Sequence, residues 1–116
     1  MIHNDVLRSV RYMLDISDNK MVEIIKLGGM DVTKEDLLTY LKKDEEEGFV
    51  FCPDDVMAHF LDGLVIFKRG KDESRPPQPI ETPVTNNIIL KKLRVAFELK
   101  EDDMLSLIHI SEPTRL

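Results

Sequence analysis

The sequence predicts an all-α protein, and three observations lead there. Leu, Ile, Val and Met dominate the apolar residues, tryptophan is missing, and the long β-branched alternations of sheet proteins do not occur. Apolar positions recur instead at spacings of three and four, between stretches that carry helix start and stop signals. The opening stretch Asn4-Asp5-Val6-Leu7-Arg8-Ser9-Val10-Arg11 also returns, after a constant shift of 83 positions, as Asn87-Ile88-Ile89-Leu90-Lys91-Lys92-Leu93-Arg94. The match continues without a gap, setting Leu14 over Phe97, Ile16 over Leu99 and Met21 over Met104, as expected for two related units. The expected architecture is a four-helix unit over residues 1–70, a proline-rich linker over 71–86, and the truncated opening of a second, repeated unit over 87–104.

The first helix is predicted from Asn4 to Asp15, with Asn4 as the capping residue and Val6, Leu7, Val10, Met13 and Leu14 on its apolar face. Ser17 or Asp18 caps a second helix that carries Met21, Val22, Ile24, Ile25 and Leu27 and stops at Gly28-Gly29. Thr33-Lys34-Glu35-Asp36 has the form of a capping box and opens a third, with Leu37, Leu38 and Leu41 inward and Lys42 and Lys43 at its negative end. The run Asp44-Glu45-Glu46-Glu47 with Gly48 reads as a solvated connection, because adjacent carboxylates repel, and Phe49 to Phe51 should return to the core. Pro53 in the first turn, followed by Asp54 and Asp55, starts a fourth helix whose Val56, Met57, Phe60, Leu61, Leu64, Val65 and Phe67 make it the most apolar. Lys68-Arg69-Gly70 ends it.

Pro76, Pro77, Pro79 and Pro83 favour an extended linker, after which Asn87 should cap a helix that buries Ile89, Leu90, Leu93, Ala96 and Phe97. Those side chains are worth roughly 1.5–3 kcal/mol each when the larger ones are buried, so the helix should fold back on the first unit or self-associate. Residues 105–116 read as a translated transposon-end sequencing adapter, which makes them a non-native tail on the truncated second unit.

A chain of 116 residues can bury a real core. Its 22 acidic against 16 basic side chains give a net charge of −6, which works against a broad nucleic-acid footprint or attachment to an anionic membrane. Cys52 is the sole cysteine, no charged-then-apolar leader opens the chain, and no apolar run nears the roughly 20 residues of a membrane span, so a soluble protein of a reducing compartment is expected.

The segments Leu41-Lys42-Lys43-Asp44-Glu45-Glu46-Glu47-Gly48-Phe49, Phe60-Leu61-Asp62-Gly63-Leu64 with Lys68-Arg69-Gly70-Lys71-Asp72-Glu73, and Asn86-Asn87-Ile88-Ile89-Leu90-Lys91-Lys92-Leu93-Arg94 resemble the YehS-like family. That resemblance extends over residues 1–104. It implies a duplicated, all-helical domain of unknown function from the bacterial cytoplasm and a chain lacking roughly its last third, and it brings no established catalytic residues.

The chemistry-bearing residues point the same way. His3, His59, Cys52 and the carboxylates show no pair at metal-binding spacing, and no phosphate loop exists, so neither metal nor cofactor is expected. Cys52, at a helix start, reads as a buried or capping residue more readily than as an activated thiol, and His59 as a structural histidine. Asp54 and Asp55 diverge by about 100 degrees on a helix and suit capping better than acid–base work. A helix-turn-helix across Gly28 to Val32 would present Glu35 and Asp36 to phosphate.

Arg11 and Arg94 hold equivalent places in the two units. Each either closes its own unit with a carboxylate or helix-end carbonyl, the favoured reading, or faces a shared partner. The leading functional expectation is a non-enzymatic interaction or regulatory module that binds another macromolecule, a protein before a nucleic acid. The alternative is a weak nucleic-acid binder using Lys68, Arg69, Lys91 and Lys92, and a hydrolase or metal enzyme is a distant third.

Overall fold

A computed structural model describes residues 2–70, 80 and 82–97. Most of the linker, the end of the repeat beyond Phe97 and the adapter-like tail lie outside the described residues, and with them the boundaries expected there. The fold class is all-α. Among the described residues there are five helices, α1 His3–Leu14, α2 Asp18–Leu27, α3 Lys34–Leu41, α4 Asp54–Arg69 and α5 Asn86–Phe97, and no strand.

Helix α4 is the centre. Its buried residues Val56, Met57, Ala58, Phe60, Leu61, Gly63 and Leu64 spread round more than half its circumference, because α2 packs on one side and α5 on another. α3 lies against both α2 and α1. One continuous core runs through all five, from Val6, Leu7 and Val10 through Met21, Ile24, Ile25 and Leu37 to Phe60, Leu61, Ile89 and Leu93.

The closest approach is between α2 and α4, where glycine meets glycine. A Cβ on Gly28 would sit 1.9 Å from the His59 carbonyl oxygen, and one on Gly63 would sit 1.8 Å from that of Ile24. Gly28 is therefore more than a helix stop. Gly63, which would weaken an isolated helix, is needed so that the two backbones can touch.

Local signals hold in several places. Ser17 accepts the Lys20 N–H at 3.1 Å, Thr33 accepts the Asp36 N–H at 3.1 Å, and Gly70 follows α4 at φ 81°. The acidic run Asp44–Glu47 is exposed, and α5 folds back onto the first four helices through Ile89, Leu93 and Ala96.

Other positions differ from expectation. Asn4 does not cap α1; Ile2 occupies that position without a side-chain cap, and α1 ends at Leu14 with Asp15 left-handed at φ 52°. Pro53 is the N-cap of α4 rather than part of its first turn. Asn87 lies inside α5, and the hydroxyl of Thr85 takes the Ile88 N–H at 3.3 Å instead. Met13 and Leu38, expected inward, are exposed, with Tyr40 filling the inward position on α3. Phe51 does not return to the core: it is 67 % exposed and packs edge-on against Phe49 with ring centroids 4.9 Å apart. The segment's backbone, rather than its aromatic rings, is what the core holds.

Helices α4 and α5 run parallel. Three contacts in ascending order show it: the Asp54 carboxylate accepts the Val84 N–H at 3.0 Å, Lys92 Nζ lies 3.0 Å from an Asp62 oxygen, and Lys68 Nζ sits 5.5 Å from the Phe97 ring centroid. α5 also copies the bounds of α1, both of its ends lying 83 positions further along (86 against 3, 97 against 14).

The glycine crossing gives a test with an unambiguous sign. Alanine is the better helix former by about 1 kcal/mol, yet Gly63→Ala should lower the unfolding free energy by ~2 kcal/mol or more in chemical denaturation, because main chain must move to admit the methyl group. A stabilised variant would contradict the backbone contact.

Candidate functional site

The polar features of the fold gather where α1 begins. Asn4 is 1 % exposed, and the three hydrogen bonds of its carboxamide go to main chain distant in sequence. Its Nδ2 donates to the Tyr40 carbonyl at 3.0 Å and the Val50 carbonyl at 2.8 Å, and its Oδ1 accepts the Cys52 N–H at 3.0 Å. One side chain thus fastens the last turn of α3 and the segment that leads into α4. One turn along, Arg8 donates to the Lys42 carbonyl at 2.7 Å and also pairs with Asp5, so α1 serves two of the carbonyls that the end of α3 leaves open. Arg11 donates from Nε to Asp18 at 2.8 Å and closes the corner between α1 and α2.

A second polar knot adjoins the first. His3 Nε2 meets one oxygen of Asp54 at 2.6 Å while the other accepts the Val84 N–H, so a single carboxylate joins the start of α1, the start of α4 and the approach to α5. The hydrogen bond from His3, then that from Val84, holds the Asp54 carboxyl below its ordinary value of 3.8. Cys52 is buried beside this knot, its thiol donating weakly to the Pro53 carbonyl at 3.5 Å. Burial first, and the Asp54 charge second, push the thiol up to about 12. At that value the thiol is protonated at neutral pH. His59 shares its Nδ1 with the carbonyl of Asp55 at 2.6 Å, a bond within its own helix. Among the described residues no three His, Cys, Asp or Glu side chains are grouped to hold a metal ion.

The basic residues singled out from the sequence are distributed over α1, α4 and α5. Lys68 and Arg69 end α4, whereas Lys92 pairs with Asp62, about 9 Å lower along α4 at 1.5 Å per residue. That pair is mostly shielded, and Lys68 lies against Phe97. Lys91 and Arg94 are exposed on α5. Arg11 is engaged with Asp18 at the corner between α1 and α2.

A different surface was not legible beforehand. Lys20, Glu23, Ile24, Lys26 and Leu27 of α2 and Phe67 of α4 line a groove of about 370 Å³. Leu27 and Phe67 are its exposed apolar residues, and Lys20 both pairs with Glu23 at 2.8 Å and stands 5.8 Å from the Phe67 ring centroid. The sequence marks Leu27 and Phe67 only as apolar residues of their helices, and the packing leaves both exposed in this groove.

Two substitutions test the polar knots. Asn4→Ala leaves the Tyr40 carbonyl and the Cys52 N–H buried without their partner, at about 1–3 kcal/mol each, and should cost ~2 kcal/mol or more in denaturant unfolding. Asn4→Asp keeps an acceptor for Cys52 but turns a carboxylate toward two carbonyl oxygens, and should be no milder. For Asp54 the lowered folded value fixes the sign: its contribution is complete above the unfolded value near 3.8 and disappears as pH falls through the folded one. The stability gap between the protein and Asp54→Asn should therefore close on acidification below about pH 4; a gap constant with pH would refute the linkage.

Comparison with known proteins places the chain in a family and adds no activity to it. The chain is 51 % identical over 108 residues to the "Uncharacterized protein YehS" of Escherichia coli (strain K12), a match covering 93 % of this chain and 69 % of that protein. No solved structure matches it. The family model described as "Protein of unknown function (DUF1456)" matches residues 3–70, the span from α1 to the end of α4, and the chain belongs to that family.

Proposed function

We propose that the protein is a non-enzymatic interaction module that binds a protein partner through the groove between α2 and α4. The observation that carries this reading is the exposure of Leu27 and Phe67 together in a concave surface with a charged rim. Isolated apolar residues on a surface are ordinary, but two that share a groove have a surface to offer. Lys20 and Lys26 outnumber Glu23 on that rim, so the fitting partner is an apolar segment with acidic flanks, such as one face of an amphipathic helix. The protonated Cys52 thiol supports a binding role over a thiol-dependent reaction.

The nucleic-acid alternative draws less support, since Lys92 is committed to Asp62 and Lys68 to the Phe97 ring. It predicts salt-sensitive retention on nucleic acid. Among the described residues no helix is long and apolar enough to cross a membrane, so nothing there favours a bilayer as the partner.

A photo-crosslinking residue in place of Phe67 tests the groove in the native bacterium. It should capture a discrete protein that the same residue in place of Glu45, on the exposed acidic connection, does not. Leu27→Asp should abolish capture with little change in the melting temperature. Equal capture at both positions would overturn the groove as the binding surface.

A further inference from the structure

Helix α1 works through a polar edge as well as an apolar face. Asn4, Arg8 and Arg11, spaced four and three apart, line one side of it. They hold the Tyr40 and Val50 carbonyls and the Cys52 N–H, the Lys42 carbonyl, and the Asp18 carboxylate, respectively. Most of these partners are main chain, so the edge reads the shape of a helix end and its returning segment more than their side chains.

The same edge is built a second time. With the register of 83 positions that relates the bounds of α1 to those of α5, Asn4 falls on Asn87, Arg8 on Lys91 and Arg11 on Arg94. An amide, a cation and a guanidinium recur at the same spacing. Their surroundings differ, because α5 reaches α4 through the stripe of Ile89, Leu93 and Ala96, and Asn87 and Arg94 remain exposed beside it. An asparagine at the second position of a helix has no capping duty here, since Thr85 performs it. Its counterpart in α1 is among the most deeply buried polar groups in the fold.

We propose that the Asn87–Arg94 edge of α5 is a docking surface for a helix end and returning segment of the kind α3 and residues 50–52 present to α1. Its occupant is the polypeptide that follows this helix in longer members of the family. Moving Tyr40, Val50 and Cys52 by the same 83 positions carries them past Leu116, the last residue of this chain. The match to the Escherichia coli relative leaves close to a third of that protein outside it, enough to supply such a segment. Docking there leaves the contact between α5 and α4 in place, because the polar edge and the apolar stripe are different sides of the helix.

The test is a longer chain, made by joining the residues that follow the counterpart of Phe97 in the Escherichia coli relative directly after Phe97 of this protein. In that chain the side-chain amide protons of Asn87 should become protected from solvent exchange in NMR spectra. Asn87→Ala should lower its melting temperature by as much as Asn4→Ala does, and Arg94→Ala by less. In the present chain Asn87→Ala should leave the melting temperature unchanged. Unprotected Asn87 amide protons in the longer chain, together with a neutral Asn87→Ala, would overturn the proposal. Sedimentation of the present chain separates the other occupant: a dimer that Asn87→Ala dissociates would assign the edge to a second copy and overturn the assignment to the continuing polypeptide.

Discussion

The fold depends on one buried carboxamide. Helices can satisfy their middles but not their ends, and where the end of α3 meets the segment into α4 the Tyr40 carbonyl and the Cys52 N–H are buried away from water. Asn4 answers both needs at once because an amide carries donors and an acceptor on one flat group. Apolar packing brings α1, α3 and α4 together, but it is non-directional, and this set of hydrogen bonds chooses how they are aligned. Arg8 and Arg11 extend the same service to the remaining end of α3 and the start of α2. The opening helix is thus the fastener of the unit.

That role explains what the sequence conceals. Starts and stops governed by neighbours in the chain are legible, as Ser17, Thr33 and Gly70 are, because each acts within three or four residues. The docking of α5 is legible for another reason, since an apolar stripe must be covered by something. Asn4 is misleading because asparagine near a helix start usually caps it, while the partners that claim it here are 36 to 48 positions away. Gly63 reads as a weak point in a helix until its neighbour across the crossing is known. Phe51 and Leu38 look inward by composition and periodicity, but Asn4 fixes the orientation of one segment and Tyr40 takes the inward place of the other.

Chemistry follows the same division. Cys52, His3, Asn4 and Asp54 converge from two regions of the chain in a group whose residue types could suggest catalysis. Their hydrogen bonds give them structural work, with the thiol held protonated and Asp54 divided between His3 and the Val84 N–H. Asp54 couples the position of α5 to the core of the first four helices, so the last helix is fastened by charge and hydrogen bonding as well as by Ile89 and Leu93.

The glycine contact between α2 and α4 bears on how such a domain can diverge. Where helices meet through side chains, each change of volume moves the axes, and the error is passed to every neighbour. Here main chain meets main chain at Gly28 and Gly63, so the separation of the axes is set by atoms common to all residues. Ile24, Ile25, Phe60 and Leu64 around it can trade volume in compensating pairs while the crossing keeps its geometry. A chain built on that contact can change much of the composition of its core and still hold its opening helix and its groove in the same places.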